Sequence, residues 1–107
     1  MKKIGRPFVL MIAFVITTSL ALAGGQGVSY SGGDGTTMAK AVVINGATES
    51  TGLDAEDAWL AKHFRGYELR QQSLLNSKGK MYDAMDITTQ DGKKMTVYFD
   101  ITGFFGK

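Results

Sequence analysis

The stretch Lys94-Met-Thr-Val-Tyr-Phe-Asp-Ile-Thr102 decides the fold, because apolar and polar residues alternate along it without a break. The side chains at odd positions share one side of an extended chain, and all of them are apolar: Met95, Val97, Phe99 and Ile101. A period of two with β-branched and aromatic residues is typical of a β-strand with one buried face. The length of each turn determines whether the apolar side of this strand pairs with the apolar side of its neighbour, and this fixes the alignment of the preceding strands.

The stretch over residues 80–89 carries a similar alternation and is separated from the first by turn-forming residues. A three-residue loop over residues 90–92 pairs odd positions with odd positions and sets Ile87 opposite Met95. A two-residue loop would instead mix the apolar side of one strand with the polar side of the other. The pattern therefore predicts an antiparallel hairpin with the three-residue loop.

A third stretch, residues 67–75, comes earlier in the chain and ends before the sequence Asn76-Ser-Lys-Gly79. The same argument favours a three-residue loop over residues 77–79. This loop sets Leu75 opposite Met81 and Leu69 opposite Ile87, which continues the odd-with-odd pairing. We therefore predict a second hairpin in the same register.

Residues 53–64 are the one stretch of the mature chain with helical periodicity. Leu53, Leu60 and Phe64 fall on one line of a 3.6-residue wheel, so this line is expected to face the sheet. Charges follow the helix dipole, with acidic residues in the first turn and basic residues in the last: Asp54, Glu56, Asp57, Lys62, His63 and Arg65.

An apolar run over residues 39–45 precedes the helix and ends in the turn signal Asn45-Gly46. Its three consecutive β-branched residues, 42–44, predict a buried strand. The complete order is β-α-β-β-β. We therefore predict an α+β fold in which a single helix packs on a four-stranded, mainly antiparallel sheet.

The N-terminus is typical of a secretory signal peptide. Lys2, Lys3 and Arg6 precede an apolar run over residues 8–22, and Ala23 closes a small-x-small cleavage motif. The apolar run is shorter than the ~20 residues that a membrane span needs. We expect cleavage after Ala23, a periplasmic or secreted location and no stable membrane anchor.

The mature chain divides into a flexible glycine-rich leader over residues 24–37 and a single domain over residues 38–107. Removing three of the twelve basic residues leaves nine against ten acidic ones, a net charge of about −1. This balance excludes a basic surface for nucleic acid. The chain has no cysteine and one histidine, so neither a thiolate metal site nor a cofactor is predicted.

The outer face of the predicted sheet is a candidate binding surface. The register sets Arg70 opposite Asp86 and Leu74 opposite Tyr82, with Tyr98 on the neighbouring strand. Tyrosines flanked by charge on an open sheet suit contact with a protein or peptide. The alternative is that these side chains form cross-strand pairs that only stabilise the sheet.

The inner face contains one residue that does not fit a core. The predicted register sets Asp83 opposite Ser73 and Phe99, where a carboxylate is costly unless it is paired. Asp83 is either a structural hydrogen-bond acceptor or part of a polar pocket with Ser73, Gln71 and His63. A Ser-His-Asp arrangement lacks the motif that would support it.

The part of the chain from the helix to the C-terminus contains a helix, a glycine and strands with recurring residues: Gly66, Tyr82, Asp91-Gly92, Val97, Asp100 and Thr102-Gly103. This pattern resembles the PepSY domain of exported bacterial proteins. The spacing after Asp100 is one residue shorter than in PepSY domains, and those domains do not begin with a strand such as residues 41–44. The predicted architecture is also similar to cystatin-like folds, and several motifs resemble a group of small exported bacterial proteins without an assigned activity. These resemblances imply export and binding or inhibition of peptidases, and they transfer no catalytic residue.

The sequence favours a non-enzymatic, exported binding module that contacts a protein or peptide. One alternative is a small-ligand binder or enzyme with a pocket between helix and sheet, as in NTF2-like folds. Such a pocket would exceed ~300 Å³ and would bring Asp83 and His63 within hydrogen-bond reach. Another alternative is a structural component of the cell envelope.

Overall fold

The computed structural model describes residues 27–107. These residues form, in chain order, β1 (Ser29–Gly32), β2 (Val42–Asn45), α1 (Gly52–His63), β3 (Glu68–Ser77), β4 (Lys80–Thr88) and β5 (Lys94–Asp100). The strands make one sheet in the order β1-β2-β5-β4-β3. Neighbouring strands are antiparallel except β2 and β5, which are parallel.

The predicted α+β architecture is confirmed, with one helix and a mainly antiparallel sheet within the described residues. The sheet has five strands rather than the predicted four, because Ser29–Gly32 pairs with β2. This extra strand lies inside the segment 24–37 that was predicted to be a leader. The predicted signal peptide, residues 1–23, lies outside the described residues. Among residues 27–107, no helix is long and apolar enough to cross a membrane.

The apolar side of β5 is the centre of the core, as its alternation predicts. Val97 and Phe99 are completely buried, and the β4–β5 register sets Ile87 opposite Met95. The three-residue loop over residues 90–92 is therefore confirmed. The rest of the apolar core cluster comes from β2, α1, β4 and the C-terminal turn: Val42, Ile44, Ala55, Trp59, Leu60, Met85, Ile87, Ile101 and Phe104.

The predicted register of the β3–β4 hairpin is wrong over most of its length. Ser77 pairs with Lys80, so the loop contains two residues, Lys78 and Gly79. Both have positive φ, 52° and 81°, which is the geometry of a type I′ turn. The register shifts back between Leu69 and Gln71. This β-bulge adds one residue to β3 and restores the predicted pairing of Leu69 with Ile87.

The helix buries only part of the predicted line. Leu60 is completely buried and Phe64, just after the helix, is half-buried against the core, but Leu53 is 50% exposed. Ala55, Glu56 and Trp59 complete the buried face. The buried residues follow the i, i+4, i+5 spacing of a helix face, and this face includes a carboxyl group that the sequence analysis assigned to the helix dipole.

The helix lies over the β1–β2 side of the sheet. The Tyr30 hydroxyl of β1 donates a hydrogen bond of 2.7 Å to the carbonyl oxygen of Ala55, and β2 is the strand nearest to α1. At the other end, the C-terminal turn folds back so that Phe104 packs on Gly52 at the start of the helix. This placement leaves β3 without a covering layer.

Candidate functional site

A cleft of about 1040 Å³ opens beside the C-terminal half of α1. The β1–β2 loop and the β4–β5 loop form its other walls, and we call it the helix–loop cleft. Its apolar lining comes from Val42, Trp59, Phe64 and Met95. A concave surface with apolar lining and a few polar groups is the usual form of a ligand site.

The wall formed by α1 contains an aromatic stack. The Trp59 ring lies 3.9 Å from the His63 ring at an interplanar angle of 13°. Trp59 also meets Phe99 edge to face, with the centroids 5.6 Å apart. His63 Nδ1 lies 2.9 Å from the carbonyl oxygen of Trp59, and because a carbonyl only accepts, Nδ1 donates this bond. The packing fixes the tautomer and the orientation of His63.

The β1–β2 loop is held in place by a buried glycine. Gly35 has φ = 83°, and a Cβ there would lie 2.8 Å from Cγ1 of Val97. Its carbonyl oxygen accepts a hydrogen bond of 2.8 Å from the amide of Tyr98 on β5. Only glycine satisfies both the positive φ and the close approach to the core.

Next to Gly35, the carboxylate of Asp34 accepts hydrogen bonds from the amide and the hydroxyl of Thr36, at 3.0 and 2.8 Å. These bonds stabilise the ionised form and lower the pKa of Asp34. Asp34 therefore contributes a fixed negative charge to the rim of the cleft.

The β4–β5 loop forms another part of the rim, and it also carries a carboxylate that a threonine hydroxyl stabilises in its ionised form. The Thr89 hydroxyl donates to Asp91, and this bond is the main cause of the lowered pKa of Asp91. The Thr89 amide donates to the carbonyl oxygen of Lys93 at 2.8 Å, which closes the loop. With Lys62 on the helix, the rim carries both signs of charge around an apolar lining.

Glu56 and Asp83 form a buried carboxyl pair between α1 and β4. Their exposed fractions are 1% and 5%, and Glu56 Oε1 has no hydrogen-bond partner. Burial, followed by a hydrogen bond with Asp83 and its charge, raises the pKa of Glu56 to about 10. Glu56 is therefore protonated at neutral pH. Neither residue lines the helix–loop cleft.

The structure does not bring together the four residues of the predicted polar pocket. Ser73 and Gln71 both pair with even-numbered residues of β4 and so lie on the face opposite to Asp83. His63 follows Glu56, the partner of Asp83, by seven residues, which is about 10 Å along a helix. The partner of Asp83 is thus a helix carboxyl group that the sequence analysis did not assign to a site.

Four residues of the predicted binding surface are brought to the outer face, and one is not. Tyr98 pairs with Ala84, and Tyr82 shares its face. Leu74 pairs with Asp83 instead of Tyr82 and therefore lies on the helix side of the sheet, because of the two-residue turn.

The predicted ion pair of the outer face is also absent from the described residues. Arg70 lies in the bulge and bonds to Glu68 at 2.8 Å and to the Thr88 hydroxyl at 3.0 Å. Asp86 accepts a bond of 2.6 Å from Thr96. Both nevertheless line a second hollow of about 570 Å³ on the outer face.

The helix–loop cleft was not predicted, because three segments that are distant in the sequence form its walls. The one local signal was the i, i+4 spacing of Trp59 and His63, which places two aromatic rings together on a helix. Within the described residues, no group of three or more acidic or imidazole side chains could hold a metal ion. The chain matches no protein-family model, no curated protein and no solved structure.

Proposed function

We propose that this chain is an exported binding module that holds a peptide segment in the helix–loop cleft. The observation that carries the proposal is the cleft itself, with its apolar lining and its rim of both charge signs. Its volume, about 1040 Å³, slightly exceeds the ~300–1,000 Å³ of small-molecule sites.

The shape and charge of the cleft support a peptide. An elongated ligand with apolar side chains can contact Trp59 and Met95 while its polar backbone reaches the rim. Asp34 and Asp91 would attract cationic groups, and Lys62 would attract a carboxylate. A peptide carries all of these groups along one chain.

The state of His63 supports binding rather than catalysis. Its Nδ1 donates to a backbone carbonyl oxygen and its ring stacks on Trp59. General-base catalysis of the Ser-His-Asp type instead orients the imidazole through a carboxylate. The predicted signal peptide supports action in the periplasm or outside the cell. The resemblance to PepSY and cystatin-like domains stays a prediction, and it is consistent with a peptide ligand.

The proposal can be tested with a displayed library of random heptapeptides. Peptides that bind the immobilised chain are titrated in solution, and the fluorescence of Trp59, the single tryptophan of the chain, reports occupancy. Ala58 lines the cleft and is exposed, so Ala58→Trp should fill the cleft without disturbing the core. Because this substitution adds a second indole, its affinity is measured by calorimetry. We expect it to weaken binding at least tenfold.

A double variant on the opposite face, Tyr82→Ser with Tyr98→Ser, is the matched control and should retain wild-type affinity. The reverse pattern would contradict the proposal, since it would move the site to the outer face. Recovery of no binding peptide from a library that covers all charge classes would also count against it.

The outer face is a second candidate surface for the same class of function. The hollow beside Arg70, Asp86 and Thr96 adjoins the face that carries Tyr82 and Tyr98. This hollow is about half the volume of the cleft. The same pair of variants decides between the two surfaces.

A further inference from the structure

Strand β3 is a long, unprotected edge. It extends over ten residues from Glu68 to Ser77, and β4 is its one neighbour in the sheet. Its residues are exposed or half-buried on both faces, because α1 lies over the opposite side of the sheet. Leu74 is 52% exposed and Leu69 is 44% exposed. An edge strand of this length presents a row of unpaired backbone groups.

The features that normally protect an edge are confined to one end of β3. The bulge and the charged residues lie at Glu68 and Arg70. From Gln71 to Ser77 the strand contains no charge, no proline and no glycine. By contrast, β1 at the other edge has four residues. Proteins usually interrupt an exposed edge with lysine, proline or a bulge because it otherwise pairs with another strand.

We propose that β3 pairs antiparallel with β3 of a second copy of this chain. The two-fold axis passes through Leu74, the central residue of the uncharged segment. This axis sets Leu74 opposite Leu74 and Gln72 opposite Asn76 of the other copy, which keeps like faces of the two sheets together. The result is a continuous ten-stranded sheet.

The uncharged central segment of β3 suits a second copy of the same strand. The seven central residues are neutral, so the pairing of identical strands brings no like charges together within them. At each end, Arg70 of one copy comes opposite Lys78 of the other, and Glu68, which lies 2.8 Å from Arg70 in the same copy, offsets part of this positive charge. The two Leu74 side chains cover each other in the centre. This symmetric pattern is what a two-fold interface requires.

The interface is small. One pair of edge strands buries less than the ~1,200–2,000 Å² of a standard interface. We therefore expect a dissociation constant in the micromolar range. The proposal goes beyond the binding function, since β3 lies at the opposite edge of the sheet from the cleft.

Sedimentation velocity of the protein expressed from the full coding sequence, between 1 and 200 µM, tests the proposal. The wild type should shift from monomer to dimer over this range. Leu74→Lys should remain monomeric, because two ammonium groups would lie directly opposite each other at the two-fold axis. Leu53→Lys is the matched control, since Leu53 on α1 is 50% exposed, and it should dimerise like the wild type. A wild type that stays monomeric at 200 µM would overturn the proposal, as would dimerisation that Leu74→Lys leaves unchanged.

A cysteine variant tests the geometry without relying on charge. The chain has no cysteine, so Leu74→Cys introduces a single thiol. Opposite residues of antiparallel strands have Cα atoms ~4.5–5.5 Å apart, which a disulfide can bridge. Mild oxidation at 50 µM should convert most of Leu74→Cys to a covalent dimer and little of Leu53→Cys. Equal cross-linking of the two variants would reject the two-fold axis through Leu74.

Discussion

Glu56 is the residue with the largest expected effect on pH dependence. Its pKa is about 10 in the folded chain, against 4.5 as the ordinary value. The folded state therefore binds more protons than the unfolded state between these values. The stability contributed by the protonated carboxyl group is complete below about pH 4.5 and falls as the pH rises towards 10. At pH 7 the loss is on the order of 3 kcal/mol relative to pH 4.5.

We predict that Glu56→Gln removes most of this slope, because an amide keeps the shape of the protonated acid and does not ionise. The measurement is the free energy of unfolding in urea at pH 5, 7 and 9. Glu68→Gln is the control, since Glu68 is exposed on β3 and its replacement should leave the wild-type slope. Equal slopes in Glu56→Gln and the wild type would contradict the buried protonated state.

At Gly52 the structure predicts whether an alanine substitution stabilises or destabilises the chain. An alanine at a helix position normally stabilises by up to about 1 kcal/mol relative to glycine. At Gly52 a Cβ would overlap the ring of Phe104, with Cζ only 2.7 Å away, and Phe104 is itself buried. Gly52→Ala should therefore destabilise the chain by about 1–3 kcal/mol, as overpacking does.

Thermal unfolding of Gly52→Ala measures this effect. Gly103→Ala is its control, because a Cβ at Gly103 meets no atom within 4 Å, and its unfolding temperature should change little. A stabilised Gly52→Ala variant would show that the C-terminal turn does not pack on the helix.

Among the elements, the β3–β4 turn yields a prediction about its conformation. Lys78 occupies the left-handed region with φ = 52°, which costs a residue with a Cβ about 1 kcal/mol. Asparagine tolerates this region best among residues with side chains, and Asn-Gly is the preferred type I′ pair. We predict that Lys78→Asn stabilises the chain by about 0.5–1 kcal/mol. Urea unfolding measures the gain, and Lys80→Asn, two residues later on β4, should give none. No gain at Lys78 would favour a three-residue loop.

Predictability from sequence differs between elements for physical reasons. The β4–β5 register followed from the sequence because Ile87 and Met95 belong to two stretches whose apolar residues alternate. β3 offers no such constraint, since Gln71, Gln72 and Ser73 place polar residues on both faces. The sequence of β3 therefore does not distinguish a two-residue turn with a bulge from the predicted three-residue loop without one.

Other errors arose where tertiary contacts override local pattern. β1 has a serine- and glycine-rich sequence with little strand propensity, and its pairing with β2 and the bond from Tyr30 to the helix hold it. Glu56 was assigned to the helix dipole because charged residues are rarely buried. The position of Asp83 on the inner face was predicted. Its partner Glu56 could not be predicted, because Glu56 lies on the helix and the sequence does not show how the helix is placed on the sheet.

Taken as a whole molecule, the chain carries its two proposed interaction surfaces at opposite edges of one sheet. The cleft adjoins β1 and β2, and the dimer edge is β3. Two strands, β5 and β4, separate them. A dimer formed through β3 would therefore hold its two clefts far apart and leave both open, which suits a partner with repeated copies of one peptide.

This arrangement predicts that dimerisation changes avidity and leaves intrinsic affinity unchanged. Leu74→Lys should bind a monovalent peptide in solution with the wild-type dissociation constant, because Leu74 does not line the cleft. On a surface with a dense layer of the same peptide, the wild type at 50 µM should dissociate more slowly, because two linked sites rebind at a high effective concentration. We expect the apparent affinity of Leu74→Lys there to fall by about tenfold or more. Surface plasmon resonance at low and high peptide density measures both values. If the monovalent affinity also falls, β3 and the cleft are coupled and the two surfaces are not independent.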